Sequence, residues 1–217
     1  MKKTATLLLL TFCLSMGFSQ ETNQINPAEY TAILQDFSSG KPVEGNWILD
    51  SSMLSQTNTS VPCAKYILPL QQNNVNHLLQ FTATSGIAAG KIGYGMHFLA
   101  SEIRDPAGYG YGQSFLVWIT RDEAHYQNSS TYVQLYRSFS DYRMVEIGSV
   151  AIAESINDEL VCEVYVNTIH KIIFISINGD LKLFIPVKDF DFTGNSIAFR
   201  TMGGPVSFTK CVISKKD

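Results

Sequence analysis

The chain has 217 residues, an even mix of apolar and polar character, and a formal net charge of −3. Setting aside Lys2 and Lys3 from the 16 basic residues leaves 14 against 19 acidic ones. That mild acidity argues against nucleic acid or an anionic membrane surface as a partner.

Lys2 and Lys3 open the chain, Thr4 to Phe12 with Leu14 form a short apolar stretch, and Gly17-Phe18-Ser19 precedes Gln20. This is the layout of a secretory signal peptide over residues 1–19. It implies an exported protein, periplasmic or secreted. The bulky Phe12 before Cys13 argues against a lipid-bearing cysteine at that position. No later stretch has the ~18 apolar residues of a membrane helix, so no span is expected in the mature chain. Cys63, Cys162 and Cys211 are an odd number. In an oxidising compartment one pair can bridge, and small apolar core cysteines are the plainer reading.

Residues 20–35 read as a flexible leader or a short helix, broken at Ser38-Ser39-Gly40-Lys41-Pro42. Beyond it, runs rich in Val, Ile, Phe and Tyr alternate with Gly, Asn, Asp and Ser clusters, predicting many short strands. Strands are predicted at Ala64 to Leu70, Leu78 to Thr84, Lys91 to Ala100, Ser114 to Arg121 and Thr131 to Arg137. In the last of these, Val133 and Leu135 face one way and Tyr132, Gln134 and Tyr136 the other. Met144 to Ala153 and Leu160 to Val166 follow. Lys171 to Ile177 is nearly all apolar, which predicts cover on both faces. Asn178-Gly179 suits the two positive-φ positions of a type I′ turn, joining that strand to Asp180–Val187 as a hairpin. Ser196 to Arg200 and Val206 to Ser214 close the domain. Many strands without a long amphipathic helix predict an all-β, two-sheet antiparallel β-sandwich or jelly roll over residues 36–217, with at most one or two short helices.

The order of elements carries a resemblance. A segment with Trp47 comes first, then Thr-Tyr-Val-Gln-Leu-Tyr-Arg around Tyr132 and Leu135. The Ile-Ile-Phe-Ile-Ser-Ile-Asn-Gly hairpin, Ser196-Ile-Ala-Phe-Arg200 and Val206-Ser-Phe-Thr-Lys-Cys-Val-Ile213 follow. This resembles the concanavalin A-like lectin/glucanase jelly roll, including laminin G-like domains, over roughly Asp36 to Ser214. The resemblance implies that the first and last strands lie together. It also implies a lectin or adhesion module, a calcium binder or a glycoside hydrolase, among which fold alone does not choose. The Glu-x-Asp-x-x-Glu arrangement of hydrolases similar in fold is missing here.

Several constellations bear on chemistry. Glu102 with Asp105, Asp122 with Glu123, Asp158 with Glu159 and Asp189 with Asp191 are the nearby acid pairs. Adjacent residues of a strand point to opposite faces, which makes i, i+1 pairs poor catalytic dyads. Asp189, Asp191 and Asn195 offer an incomplete oxygen set for calcium. His77, His97, His125 and His170 have no metal-ligand spacing, and no Gly-x-Ser-x-Gly elbow is present.

The most unusual stretch is Arg104-Asp-Pro-Ala-Gly-Tyr-Gly-Tyr-Gly-Gln113, expected to be an adaptable loop presenting Tyr109 and Tyr111. Trp118, Arg121, Asp122, His125 and Tyr126 follow at the end of the next strand, with Trp118 reading as a core residue. These positions support a non-catalytic binding module for carbohydrate or a cell-envelope protein, without a cofactor, whose contact surface is Tyr109, Tyr111, Arg121 and Tyr126. Replacing Tyr109 and Tyr111 by Ala is then expected to abolish sugar binding at nearly constant melting temperature. The alternatives are a carbohydrate-active hydrolase with acids from separate strands, and a structural subunit of an envelope or appendage assembly.

Overall fold

A computed structural model describes residues 25–58, 60–86, 90–101 and 105–216. The signal segment 1–19 and most of the leader lie outside these residues, as do Glu102 and Arg104. After a single 3-10 turn at Pro27–Glu29, the strands in chain order are β1 (Thr31–Leu34), β2 (Lys41–Glu44), β3 (Trp47–Asp50), β4 (Met53–Gln56), β5 (Ala64–Gln72), β6 (Asn76–Ser85), β7 (Ile92–Ala100) and β8 (Ser114–Arg121). A one-turn helix α1 (Glu123–Tyr126) precedes β9 (Thr131–Ser140), β10 (Arg143–Ile152), β11 (Leu160–Asn167), β12 (Ile172–Ile177), β13 (Asp180–Pro186), β14 (Gly194–Met202) and β15 (Val206–Lys216).

These strands build a jelly-roll β-sandwich of two antiparallel sheets. The back sheet runs β13-β12-β11-β6-β15-β4-β3, with β1 also on β15, and the front sheet runs β10-β9-β8-β7-β14-β5-β2. The first strand therefore pairs with the last, Thr31 opposite Lys215. The predicted strands are present, and β1 to β4 add short pieces where the sequence suggested only a leader and a Trp47 segment.

Alternation sets the core. Val133 and Leu135 on β9, Val117 and Ile119 on β8, and Ile197 and Phe199 on β14 point inward and are fully buried. From the back sheet, Phe81, Val164, Ile175 and Phe208 meet them. Phe199 and Phe208 bridge the sheets with ring centroids 4.6 Å apart. On β15 the inward set shifts from Val206 and Phe208 to Cys211 and Ile213, because the register slips between Phe208 and Lys210. One extra residue there reverses the parity of all that follows.

Asn178 and Gly179 take φ values of 52° and 85°, and Ile177 pairs with Asp180, as the hairpin requires. The expectation of cover on both faces of this strand is corrected. Ile173, Ile175 and Ile177 enter the core, while Phe174 stays half-buried on the outer face. There it lies between its register partners Tyr165 and Phe184.

All three described cysteines are buried thiols. Cys162 and Cys211 both stand opposite Phe81, one on each side of β6. They are thus two strand spacings apart, about 9.6 Å, beyond the reach of a disulfide. Burial pushes both thiols well above their ordinary pKa.

Candidate functional site

The outer face of the front sheet carries the most distinctive chemistry. Register places Lys65, Arg200, Gly95, Trp118, Gln134 and Ser149 on one rung crossing β5, β14, β7, β8, β9 and β10. The next rung brings Met202, Gly93, Thr120 and Tyr132 together. Glycine on β7 leaves a trough between its neighbours, and Trp118 lies in it. A Cβ on Gly93 would meet the indole at 2.3 Å, so only glycine admits the ring there. The Arg200 guanidinium covers the indole from the other side, 4.7 Å from the ring centre.

Half of this face is covered. Residues 105–113, leading into β8, fold back over the sheet, and Tyr111 is 2% exposed beneath them. Tyr111 packs with Ile67, Ala100 and Ala198 in a small second apolar cluster. Its hydroxyl meets Ser196 Oγ at 2.8 Å, and its ring centroid lies 5.7 Å from that of His97. The loop is pinned to the β9–β10 turn by Asp141. One Asp141 carboxylate oxygen accepts from the Asp105 amide and the other from the Gly112 amide, both at 2.9 Å. The approach is so close that a Cβ on Gly110 would meet the Ser140 carbonyl at 2.2 Å. From below, the Lys65 ammonium donates to the carbonyls of Pro106, at 3.0 Å, and Gly108. The expectation of an adaptable loop is therefore corrected: its glycines serve close docking.

The uncovered half is a cleft of about 290 Å³ lined by Trp118, Arg200, Gln134, Tyr136, Lys91 and Asp122, with Tyr109 and the α1 residues His125 and Tyr126 at its walls. Asp122 caps α1 by accepting from the His125 amide at 3.1 Å, and its other oxygen meets Lys91 Nζ at 2.8 Å. Burial raises the Asp122 carboxyl, but Lys91 and the His125 amide outweigh it and hold the group below its usual value. Tyr126 stacks on Tyr132 with centroids 3.6 Å apart and accepts from the Gln134 amide. Gln134 also donates to Glu146, as does the Tyr136 hydroxyl at 3.3 Å.

Of the four contact residues expected from sequence, Tyr109 and Tyr126 line this cleft and the other two do not. Tyr109 is 46% exposed, with its hydroxyl on the Tyr142 carbonyl and its ring edge-on to Tyr142. Tyr111 is buried under the loop. Arg121 shares the inward parity of Val117 and Ile119 and lies 3.7 Å from Glu123 at the strand end. Trp118, expected in the core, points to the opposite face. Arg200, Lys65 and Gly93 were missed as site residues. The signal available was parity: Arg200 alternates with the core residues Ile197 and Phe199. Asp189 and Asp191 border a separate depression with Ser101 and Gln113. Among the described residues no three His, Cys, Asp or Glu side chains gather to hold a metal.

No family model matches the chain, and no curated protein matches it. Solved structures do. The carbohydrate recognition domain of Emp47p superposes with TM-score 0.66 at 9% identity, over 88% of this chain and 99% of that one. Carbohydrate binding module CBM66 from Bacillus subtilis gives 0.63 at 10% identity, over 82% and 96%. A legume lectin-like domain from Entamoeba histolytica gives 0.58 at 13%, over 81% and 89%. At such identities the likeness establishes the fold, a lectin-like β-sandwich jelly roll.

Proposed function

We propose that the chain is an exported, non-catalytic carbohydrate-binding module of the concanavalin A-like class, periplasmic or secreted, that takes its ligand in the front-sheet cleft. The observation that carries this reading is the cleft itself. A preformed hollow with aromatic walls and several fixed hydrogen-bonding groups suits a ring that is apolar on its faces and polar on its rim. The structural neighbours named for carbohydrate recognition support it. Asp122, the one carboxylate among the described cleft-lining residues, is held ionised by Lys91 and the α1 amide. A glycosidase acid needs the opposite, a carboxyl kept protonated.

The test is a polysaccharide binding screen of the purified protein with reducing-end release assayed in the same wells. Binding without release supports the module, and release supports a hydrolase. A second reading, an assembly subunit, is favoured by one observation, the outer-face rings Tyr165, Phe174 and Phe184 on the back sheet. Concentration-dependent association in sedimentation, without any sugar, would favour that reading.

A further inference from the structure

Lys65 and Arg200 stand directly opposite each other in the β5–β14 register, and both are buried, 0% and 7% exposed. Like charges so placed repel, and a buried cation is costly unless acceptors gather round it. Lys65 has them in the Pro106 and Gly108 carbonyls, with the Asp105 and Asp141 carboxylates near enough to attract it. Arg200 has only sulfur and an aromatic face. Its Nε donates to Cys63 Sγ at 3.1 Å, Nη1 reaches Met144 Sδ at 3.9 Å, and the rest of the group faces Trp118 and the cleft. Thiol and thioether sulfur are weak acceptors for a group with five N–H donors. Among the described residues no carboxylate lies within ion-pair distance of it.

The described carboxylates around the cleft are occupied. Asp122 is paired with Lys91, and Glu146 accepts from Gln134 and Tyr136. Among the described residues Arg200 is thus left facing the cleft without a counter-ion, fixed by Trp118 below and Cys63 beside it. Such a guanidinium is pre-organised to take an oxyanion through two parallel hydrogen bonds.

We propose that the cleft takes an anionic saccharide, whose carboxylate or sulfate ester docks on Arg200 while the sugar ring lies against the aromatic walls. This rests on the carbohydrate-binding reading and narrows it to acidic sugars. The excess of 19 acidic over 14 basic residues outside the signal segment gives such a ligand no long-range attraction. Selectivity then comes from this one local contact.

The experiment is calorimetric titration of the purified protein with three kinds of oligosaccharide: uronate-containing, sulfated on an otherwise neutral backbone, and the carboxyl-reduced form of the first. The expected result is binding of an acidic member and at least about tenfold weaker binding of its uncharged counterpart. Arg200→Gln should abolish that difference, and Arg200→Lys should retain part of it, with melting curves verifying the fold of each. Rising salt should weaken the acidic ligand and leave the neutral one unchanged. The uronate and sulfate arms distinguish which anion is taken. If neutral and acidic sugars bind equally, or Arg200→Gln weakens both alike, the charge preference is overturned and the carbohydrate reading stands. If no saccharide binds, both fall.

Discussion

The outer face of the front sheet buries charge and hydroxyls beneath a loop, whereas the outer face of the back sheet leaves aromatic rings in water. On the front sheet, Lys65, His97, Ser114 and Arg200 are all less than one-tenth exposed. On the back sheet, Phe184 is 54% and Leu181 59% exposed. The back-sheet rings are explained by local pairing: Tyr165, Phe174 and Phe184 follow one another across three strands with centroids 5.4 and 5.0 Å apart. Such cross-strand pairs stabilise a sheet by a few tenths to 1 kcal/mol each. Placing two buried cations opposite each other on the front sheet, Lys65 beneath the loop and Arg200 at the cleft, costs free energy that an apolar pair would not. That cost is what distinguishes the front face and supports the proposal that it binds the ligand.

The largest break in this contrast should come from Tyr111. Tyr111→Ala removes the ring that fills the covered half and the hydroxyl that meets Ser196, an expected loss of about 3–5 kcal/mol in urea unfolding. The double replacement of Tyr109 and Tyr111 is therefore unsuited to testing binding at constant stability, and Tyr109→Ala alone takes its place.

Acid should come next. Burial pushes the His77 imidazole down from 6.5 to about 4, and burial with Arg200 and Lys65 nearby holds His97 well below its usual value. Between pH 6.5 and about 4 the unfolded chain takes up protons that the folded chain refuses. Stability is then complete above pH 6.5 and falls as pH drops through this window, by about 3 kcal/mol for His77 alone. Urea midpoints at pH 7.5 and 4.5 measure the fall, and His77→Gln should reduce it, leaving the share of His97.

The smaller effects separate the faces by function. Tyr109→Ala, at an exposed wall, should weaken saccharide binding about tenfold while shifting stability by less than about 1 kcal/mol. Phe184→Ser on the back sheet should cost about 0.5–1 kcal/mol and leave saccharide affinity unchanged. A back-sheet variant that lowered affinity would reverse the assignment.

Much of the fold was legible because strand alternation is a local property. Val133 and Leu135 had to face one way and Gln134 and Tyr136 the other, and Asn178-Gly179 had to turn. Alternation assigns a residue to a face but not to what covers that face. Tyr111 and Trp118 show the limit. Both are aromatic residues near a glycine-rich loop, yet Tyr111 is roofed by the loop and Trp118 floors the cleft beside it. The difference arises from Asp141, thirty residues further on, which holds the loop down. Arg200 escaped notice for a related reason: its partners Cys63, Lys65 and Trp118 come from the turn before β5, from β5 and from β8. Only register brings them together.

The most direct measurement is an amide and indole NMR titration of the protein with the tightest saccharide from the screen. Shifts are expected in the Trp118 indole, Tyr109, Gln134 and the Arg200 side chain, and none at Tyr165, Phe174 or Phe184. Shifts confined to the back-sheet rings, or no saccharide that produces any, would contradict the front-sheet cleft as the binding site.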